Sequence, residues 1–183
     1  MSTLDKVYLK LIGLLEKVKP VYMIIGGLAV GLLGEARMTQ DIDVVISISE
    51  KDIPRLLQEA KRRGFTFSSK KVKHDIKLTG YFRLNYGLFH IDFIIGSMPF
   101  EMSAFARRKK IKLFGKPAYF PSAEDLVLFK LISGREKDIL DIKSIITRQK
   151  GKMDIAYLKK WARVIADDLE KPGLYTKLIK ILP

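Results

Sequence analysis

Residues 41–48 read DIDVVISI, and that alternation leaves little freedom in local structure. In a β-strand, side chains two residues apart share a face. Asp41 and Asp43 therefore point one way, while Ile42, Val44, Ile46 and Ile48 point the other. The design returns in FHIDFII at 89–95, with Phe89, Ile91, Phe93 and Ile95 on one side and His90 and Asp92 opposite. If these strands are neighbours with aligned apolar faces, one face becomes core and Asp92 lies beside Asp41 and Asp43.

The surrounding pattern supplies the partners for such a sheet. Leu4, Val7, Leu11, Leu14, Leu15 and Val18 recur at helical spacing, which predicts a helix over 3–18, capped by Ser2 or Thr3 and ended before Pro20. A short strand at 21–25, a tight turn at Gly26-Gly27 and a helix at 28–33 closed by Gly34 follow, then the acidic strand and a helix over 49–63. Stretches 71–78, 81–86 and 89–95 read as an antiparallel meander, 98–106 as a helix, and 109–114 with 117–120 as a hairpin around Gly115. From 121 onward the pattern is helical, over 122–133, 135–148, and again from 154 and 172. The expected fold class is α+β: a mixed central β-sheet with flanking helices, then a small C-terminal helical bundle, divided at 1–120 and 121–183.

Composition narrows the chemistry. With 48% hydrophobic and 30% charged residues, a chain of 183 residues is expected to be globular, with one sizeable core. There is no cysteine and there are two histidines, so carboxylates are the only metal ligands in quantity. The start lacks a signal-peptide pattern and the nearly apolar run 22–34 is too short to span a bilayer, so a soluble, cytoplasmic protein is expected. One asparagine, three glutamines and abundant Lys, Arg and Ile fit a heat-adapted source. The net charge of +14 favours anionic partners such as RNA, DNA or nucleoside triphosphates, and solvated helix faces explain it equally well. Basic clusters at 61–63, 70–73 and 107–110 could track a nucleic-acid backbone or simply face water.

The glycines fit neither common nucleotide loop. Position 28 is Leu where G-x-G needs glycine, and no GK[ST] follows. What remains is a Gly-Gly corner opening a helix whose free N–H groups can receive a phosphate. Two like charges ~4 Å apart at an effective dielectric of ~20 repel by about 4 kcal/mol, so three clustered acids need a positive partner. Magnesium suits a few carboxylates together with substrate phosphates. Two ions ~3.5–4 Å apart would activate an attacking hydroxyl and stabilise a departing pyrophosphate.

Taken in order, Gly26-Gly27, Asp41-Ile-Asp43 and Asp92 resemble the signature of the DNA polymerase β-type nucleotidyltransferase superfamily. The resemblance implies transfer of a nucleoside monophosphate from an NTP to an acceptor hydroxyl, with Asp41, Asp43 and Asp92 as catalytic metal ligands for Mg2+ or Mn2+, two ions, and Asp92 nearest the acceptor. Residues 1–120 would then be the catalytic core. The stretches GGLAVGLLGEARMTQDIDVVI and EDLVLFKLISGREKDILDI further resemble small bacterial and archaeal enzymes related to abortive-infection and toxin nucleotidyltransferases. That likeness implies nucleotide binding by Gly26, Gly27, Arg37, Thr39 and Lys130 with Asp141 or Asp138, and an antitoxin protein as a partner. The acceptor stays open among an RNA end such as that of tRNA, a protein side chain and a small molecule.

Plainer readings stand beside these. Gly26-Gly27 can be an ordinary turn, Asp41 and Asp43 can pair with Arg37, and Asp92 can face solvent on an edge strand. Arg37 and Thr39 can brace the turn, His90 can pack, and Lys130 can be a solvated helix residue. Arg135, Lys137 and Asp138 can form surface ion pairs. The corresponding whole-protein alternative is a non-catalytic module of the same fold that binds RNA or a partner protein.

Overall fold

The computed structural model describes residues 3–182. Helix α1 (Leu4–Val18) buries Val7, Leu11, Leu14, Leu15 and Val18, and Lys19 ends it in the left-handed region just before Pro20. Thr3 is its N-cap but makes no side-chain cap bond, and Ser2 lies outside the described residues. Strand β1 (Val21–Ile25) runs directly into α2 (Gly26–Leu33). The expected separate Gly-Gly turn is thus absorbed into the helix start, because Gly26 at φ +66° makes the corner alone.

Strand β2 (Asp41–Ser47) leads through a short 3-10 turn at 50–52 into α3 (Ile53–Arg62) and then α4 (Ser69–Thr79). Strands β3 (Tyr81–Tyr86) and β4 (Phe89–Ile95) form a hairpin, followed by α5 (Pro99–Arg107) and the hairpin β5 (Lys109–Leu113) and β6 (Lys116–Phe120). Helices α6 (Ala123–Ser133), α7 (Glu136–Arg148), α8 (Ile155–Asp168) and α9 (Gly173–Ile181) complete the chain. No helix among the described residues is long and apolar enough to cross a membrane.

The expected strand at 71–78 is the helix α4. Val72 and Ile76, four residues apart on one helical face, both turn to the core, Ser68 caps the N-terminus by accepting from the Lys71 N–H, and Gly80 at φ +68° ends it. Leu78, which a two-residue period would bury, is 68% exposed. The meander is therefore only the β3–β4 hairpin.

The central sheet has the order β1-β2-β4-β3, with β2 and β4 parallel and the outer pairs antiparallel. Its mixed character and flanking helices are as expected. Val44 pairs with Phe93, which pairs with Phe82 on the apolar face, and the two phenylalanine rings stack at 4.8 Å. The next rung runs Ile25, Asp43, Asp92, Arg83 across all four strands. A single core cluster continues from these strands into α6, where Leu126, Val127, Leu128 and Leu131 are fully buried. Because α6 is so apolar, the one cation at its centre, Lys130, has to find partners of opposite charge.

Candidate active site

The parallel seam between β2 and β4 sets the site. Asp41 is level with His90 and Asp43 with Asp92, so the three aspartates share a face as the alternation requires. The His90 Nδ1 is bonded to Asn85 Oδ1 at 2.8 Å, toward β3. Gly26 lies under Asp43 so closely that an added Cβ would sit 1.8 Å from Oδ2. At Gly27 an added Cβ would meet the Thr39 side chain at 3.0 Å. The Thr39 hydroxyl donates to the Asp41 carbonyl at 2.9 Å and accepts from the Asp41 N–H at 3.3 Å, bracing the entry to β2. Close approach therefore requires glycine at 26, beyond its role in turning the chain, while at 27 the Thr39 side chain leaves a tight fit for anything larger.

The aspartates differ sharply in their surroundings. Asp92 receives Nε and an Nη of Arg83 at 2.6 and 2.7 Å and the Tyr81 hydroxyl at 2.6 Å. The hydrogen bond from Arg83 to Asp92 raises the Arg83 pKa, while burial, followed by the hydroxyl's own hydrogen bond to Asp92, pushes Tyr81 up to about 12. No ion pair or side-chain hydrogen bond among the described residues reaches the Asp41 or Asp43 carboxylates. Burial raises the Asp43 pKa, and the nearby Asp92 charge adds to the rise.

Arg83 is the positive partner that three clustered acids demand, and it was not singled out from sequence. The signal was present. Gly87 and Leu88 form a two-residue hairpin turn that sets Tyr86 opposite Phe89 and hence Arg83 opposite Asp92.

Lys130 is 4% exposed and donates to Asp138 at 2.8 Å and Asp141 at 2.7 Å, so both expected aspartates are its partners. Arg37 forks onto Asp141 with two bonds of 3.1 Å, and Arg135 forks onto Asp138. Burial works against both carboxylates. Hydrogen bonds from Arg135 and Lys130 nonetheless hold Asp138 well below the usual range, and bonds from Arg37 and Lys130 lower Asp141. Asp138 is wholly buried, so it is not the surface ion pair the plainer reading expected. The network ties the α2–β2 loop and α7 to the centre of α6, and uses two of the three protons of Lys130.

Two compartments flank the rung. A polar one of about 310 Å³ is lined by Gly27, Arg37, Thr39, Gln40, Asp41 and Lys137. A more apolar one of about 450 Å³ is lined by Ile25, Gly26, Ile94, Met98, Glu101 and Phe129. Both share Asp43, Asp92, Arg83, Lys130 and Arg135. Asp138 and Asp141 line neither. Among the described residues no group of three His, Cys, Asp or Glu side chains is arranged to hold a metal ion. The adjacent, donor-free carboxylates of Asp41 and Asp43 do fit a hard divalent cation that takes its remaining ligands from phosphate and water. A groove of about 410 Å³ at α8 and α9, lined by Lys159, Lys160, Arg163, Val164, Asp167 and Tyr175, carries no comparable set of reactive groups.

Comparison with known proteins adds to this geometry. A family model described as a nucleotidyltransferase of unknown function (DUF6036) matches residues 1–171. The solution structure of the antibiotic-resistance factor ANT(2'')-Ia is similar at TM-score 0.63 and 16% identity, over 92% of this chain and 96% of that one. A lincomycin-bound crystal structure of the lincosamide antibiotic adenylyltransferase LnuA is similar at TM-score 0.52 and 16% identity, over 79% and 96%. The complex of ANT(2'')-Ia with adenylyl-2''-tobramycin is similar at TM-score 0.55 and 15% identity, over 80% and 89%. At these identities the likeness is one of fold. Among curated proteins none matches the sequence.

Proposed function

The chain belongs to the DUF6036 family of nucleotidyltransferases, and from that premise we propose that it moves a nucleoside monophosphate from an NTP to the hydroxyl of a small organic acceptor. The observation that carries this reading is the rung of Asp43, Asp92 and Arg83 standing between a polar and an apolar compartment that share it.

The triphosphate lies in the polar compartment, where the N–H groups at the start of α2 and the cations Arg135, Lys137 and Lys130 face it. Arg37 and Thr39 also line that compartment, and each fixes a neighbour, Arg37 by holding Asp141 beside Lys130 and Thr39 by bracing Asp41. Asp41 and Asp43 would hold a magnesium or manganese ion, which when bound supplies charge compensation and alignment of the triphosphate. The acceptor occupies the apolar compartment, whose volume suits a small molecule. Its hydroxyl oxygen forms a bond to the α-phosphorus as the bond to the bridging oxygen breaks and pyrophosphate leaves. The hydroxyl proton passes to Asp92 Oδ2, the oxygen that takes a single bond from Arg83.

A second acceptor class rests on a different observation. Helix α4 exposes Lys70, Lys71, Lys73 and Lys77 alongside β3, a basic face suited to an RNA backbone. One experiment separates the two: each α-labelled triphosphate is incubated with magnesium or manganese and either a panel of hydroxyl-bearing small molecules or total RNA. Label is expected on a small molecule, with none transferred by Asp43→Ala. Label on RNA alone would replace the acceptor, and equal transfer by wild type and Asp43→Ala would refute the site.

A further inference from the structure

Asp92 is the aspartate of the three that already has a cation. The hairpin register places Arg83 directly opposite it, and both groups are planar, so the fork closes with two short bonds. Tyr81 takes a third position on the same carboxylate. A carboxylate offers about four lone-pair positions, so one remains. A guanidinium does not give up its proton, which makes this charge a fixed part of the site. The other central cation, Lys130, has two of its three protons committed to Asp138 and Asp141. On the rung and its neighbour Asp41, three carboxylates and one guanidinium leave −3 + 1 = −2, the charge that one divalent ion cancels.

We propose that Arg83 stands in for the second cation: the site binds a single divalent ion, on Asp41 and Asp43, and Asp92 is a guanidinium-paired carboxylate rather than a metal ligand. This deepens the nucleotidyl-transfer reading and rests on it for the presence of an ion and a triphosphate. It departs from the two-ion arrangement that the sequence resemblance implies. Arg83 is accordingly a positioning residue, acting through Asp92.

The test counts ions rather than turnovers. Mn2+ is titrated into the full chain with an equimolar non-hydrolysable nucleoside triphosphate, free Mn2+ is followed by electron paramagnetic resonance, and a protein-free titration is subtracted. One ion per chain is expected in wild type, one with unchanged affinity in Asp92→Asn, and two in Arg83→Gln. Two ions in wild type, an affinity loss of about tenfold or more in Asp92→Asn, or a single ion in Arg83→Gln would each overturn the proposal. Should Arg83→Gln fail to fold, the wild-type count and the Asp92→Asn affinity decide it. Two wild-type ions that Asp43→Asn abolishes would refute Arg83's role while leaving nucleotidyl transfer intact, whereas no bound ion in wild type would overturn both.

Discussion

Replacing Gly26 by alanine separates backbone strain from damage to the site. Gly26 has φ +66°, where an L-residue is disfavoured by about 1–2 kcal/mol. For a chain of this size each kcal/mol lowers Tm by about 2–4 °C, so a fall of about 2–8 °C is expected. The larger effect is local. The new Cβ would lie 1.8 Å from Asp43 Oδ2, and real Cβ atoms essentially never come within 3.0 Å, so the carboxylate or the corner must retreat by at least 3.0 − 1.8 = 1.2 Å. A misplacement of about 1 Å at a reacting centre can cost about 10²-fold in rate. Thermal melting and label transfer from a nucleoside triphosphate are measured together, with Gly115→Ala as the control. Gly115 has φ +81° but nothing within 4 Å of an added Cβ, so it should show a similar Tm loss at full activity. Wild-type turnover by Gly26→Ala would refute the placement of Asp43 at the reaction centre, as would equal inactivity of Gly115→Ala.

Removing Lys130 as Lys130→Met leaves two buried carboxylates each short of a cation, and a loss of about 3–5 kcal/mol is expected by chemical denaturation. Asp138 and Asp141 have lowered folded-state pKa values, so their contribution is complete above the unfolded carboxyl value of about 3.9 and is lost as pH falls through the folded values. Melting measured against pH should therefore decline below about pH 4, less steeply in Asp138→Asn. Asp43 has the opposite sign: its raised pKa means that ionisation opposes folding as pH rises, so Asp43→Asn should melt higher than wild type at pH 7 in chelator. Tyr157→Phe takes the 2.6 Å hydroxyl donor from fully buried Asp125, where Arg107, Ser122 and Tyr157 meet between α5, α6 and α8. A destabilisation of about 1–3 kcal/mol is expected, with transfer activity unchanged.

The strands that carry the acids were legible because one buried face fixes which side chains share it: with Ile42, Val44, Ile91 and Phe93 toward the core, Asp41, Asp43 and Asp92 fall opposite. A two-residue slip would preserve that alternation, so the level pairing of Asp43 with Asp92 is set by the tertiary fold. Gly26 could be read as a corner, but its contact with Asp43 depends on β2 returning beside β1, which no local pattern encodes. The segment 71–78 misled because Val72, Ile76 and Leu78 satisfy a two-residue period, while the capping pair Ser68 and Gly80 pointed to the helix. Lys130, Asp138 and Asp141 could be nominated but not assembled, since the helical periodicity that places Asp138 and Asp141 nearly one turn apart says nothing of what sits on the neighbouring helix. Arg83 follows from the register of the β3–β4 turn, which sets it opposite Asp92, although no acidic motif marks it.

The seam that pairs Asp43 with Asp92 joins strands distant in sequence, whereas the β3–β4 and β5–β6 hairpins close locally. Closing so long a loop is the slow, entropically costly part of acquiring such a topology. Hairpins and helices formed alone would leave the Asp43–Asp92 rung, and the two compartments it separates, unassembled. Ligand protection should accordingly be global, slowing amide exchange throughout the central sheet at once.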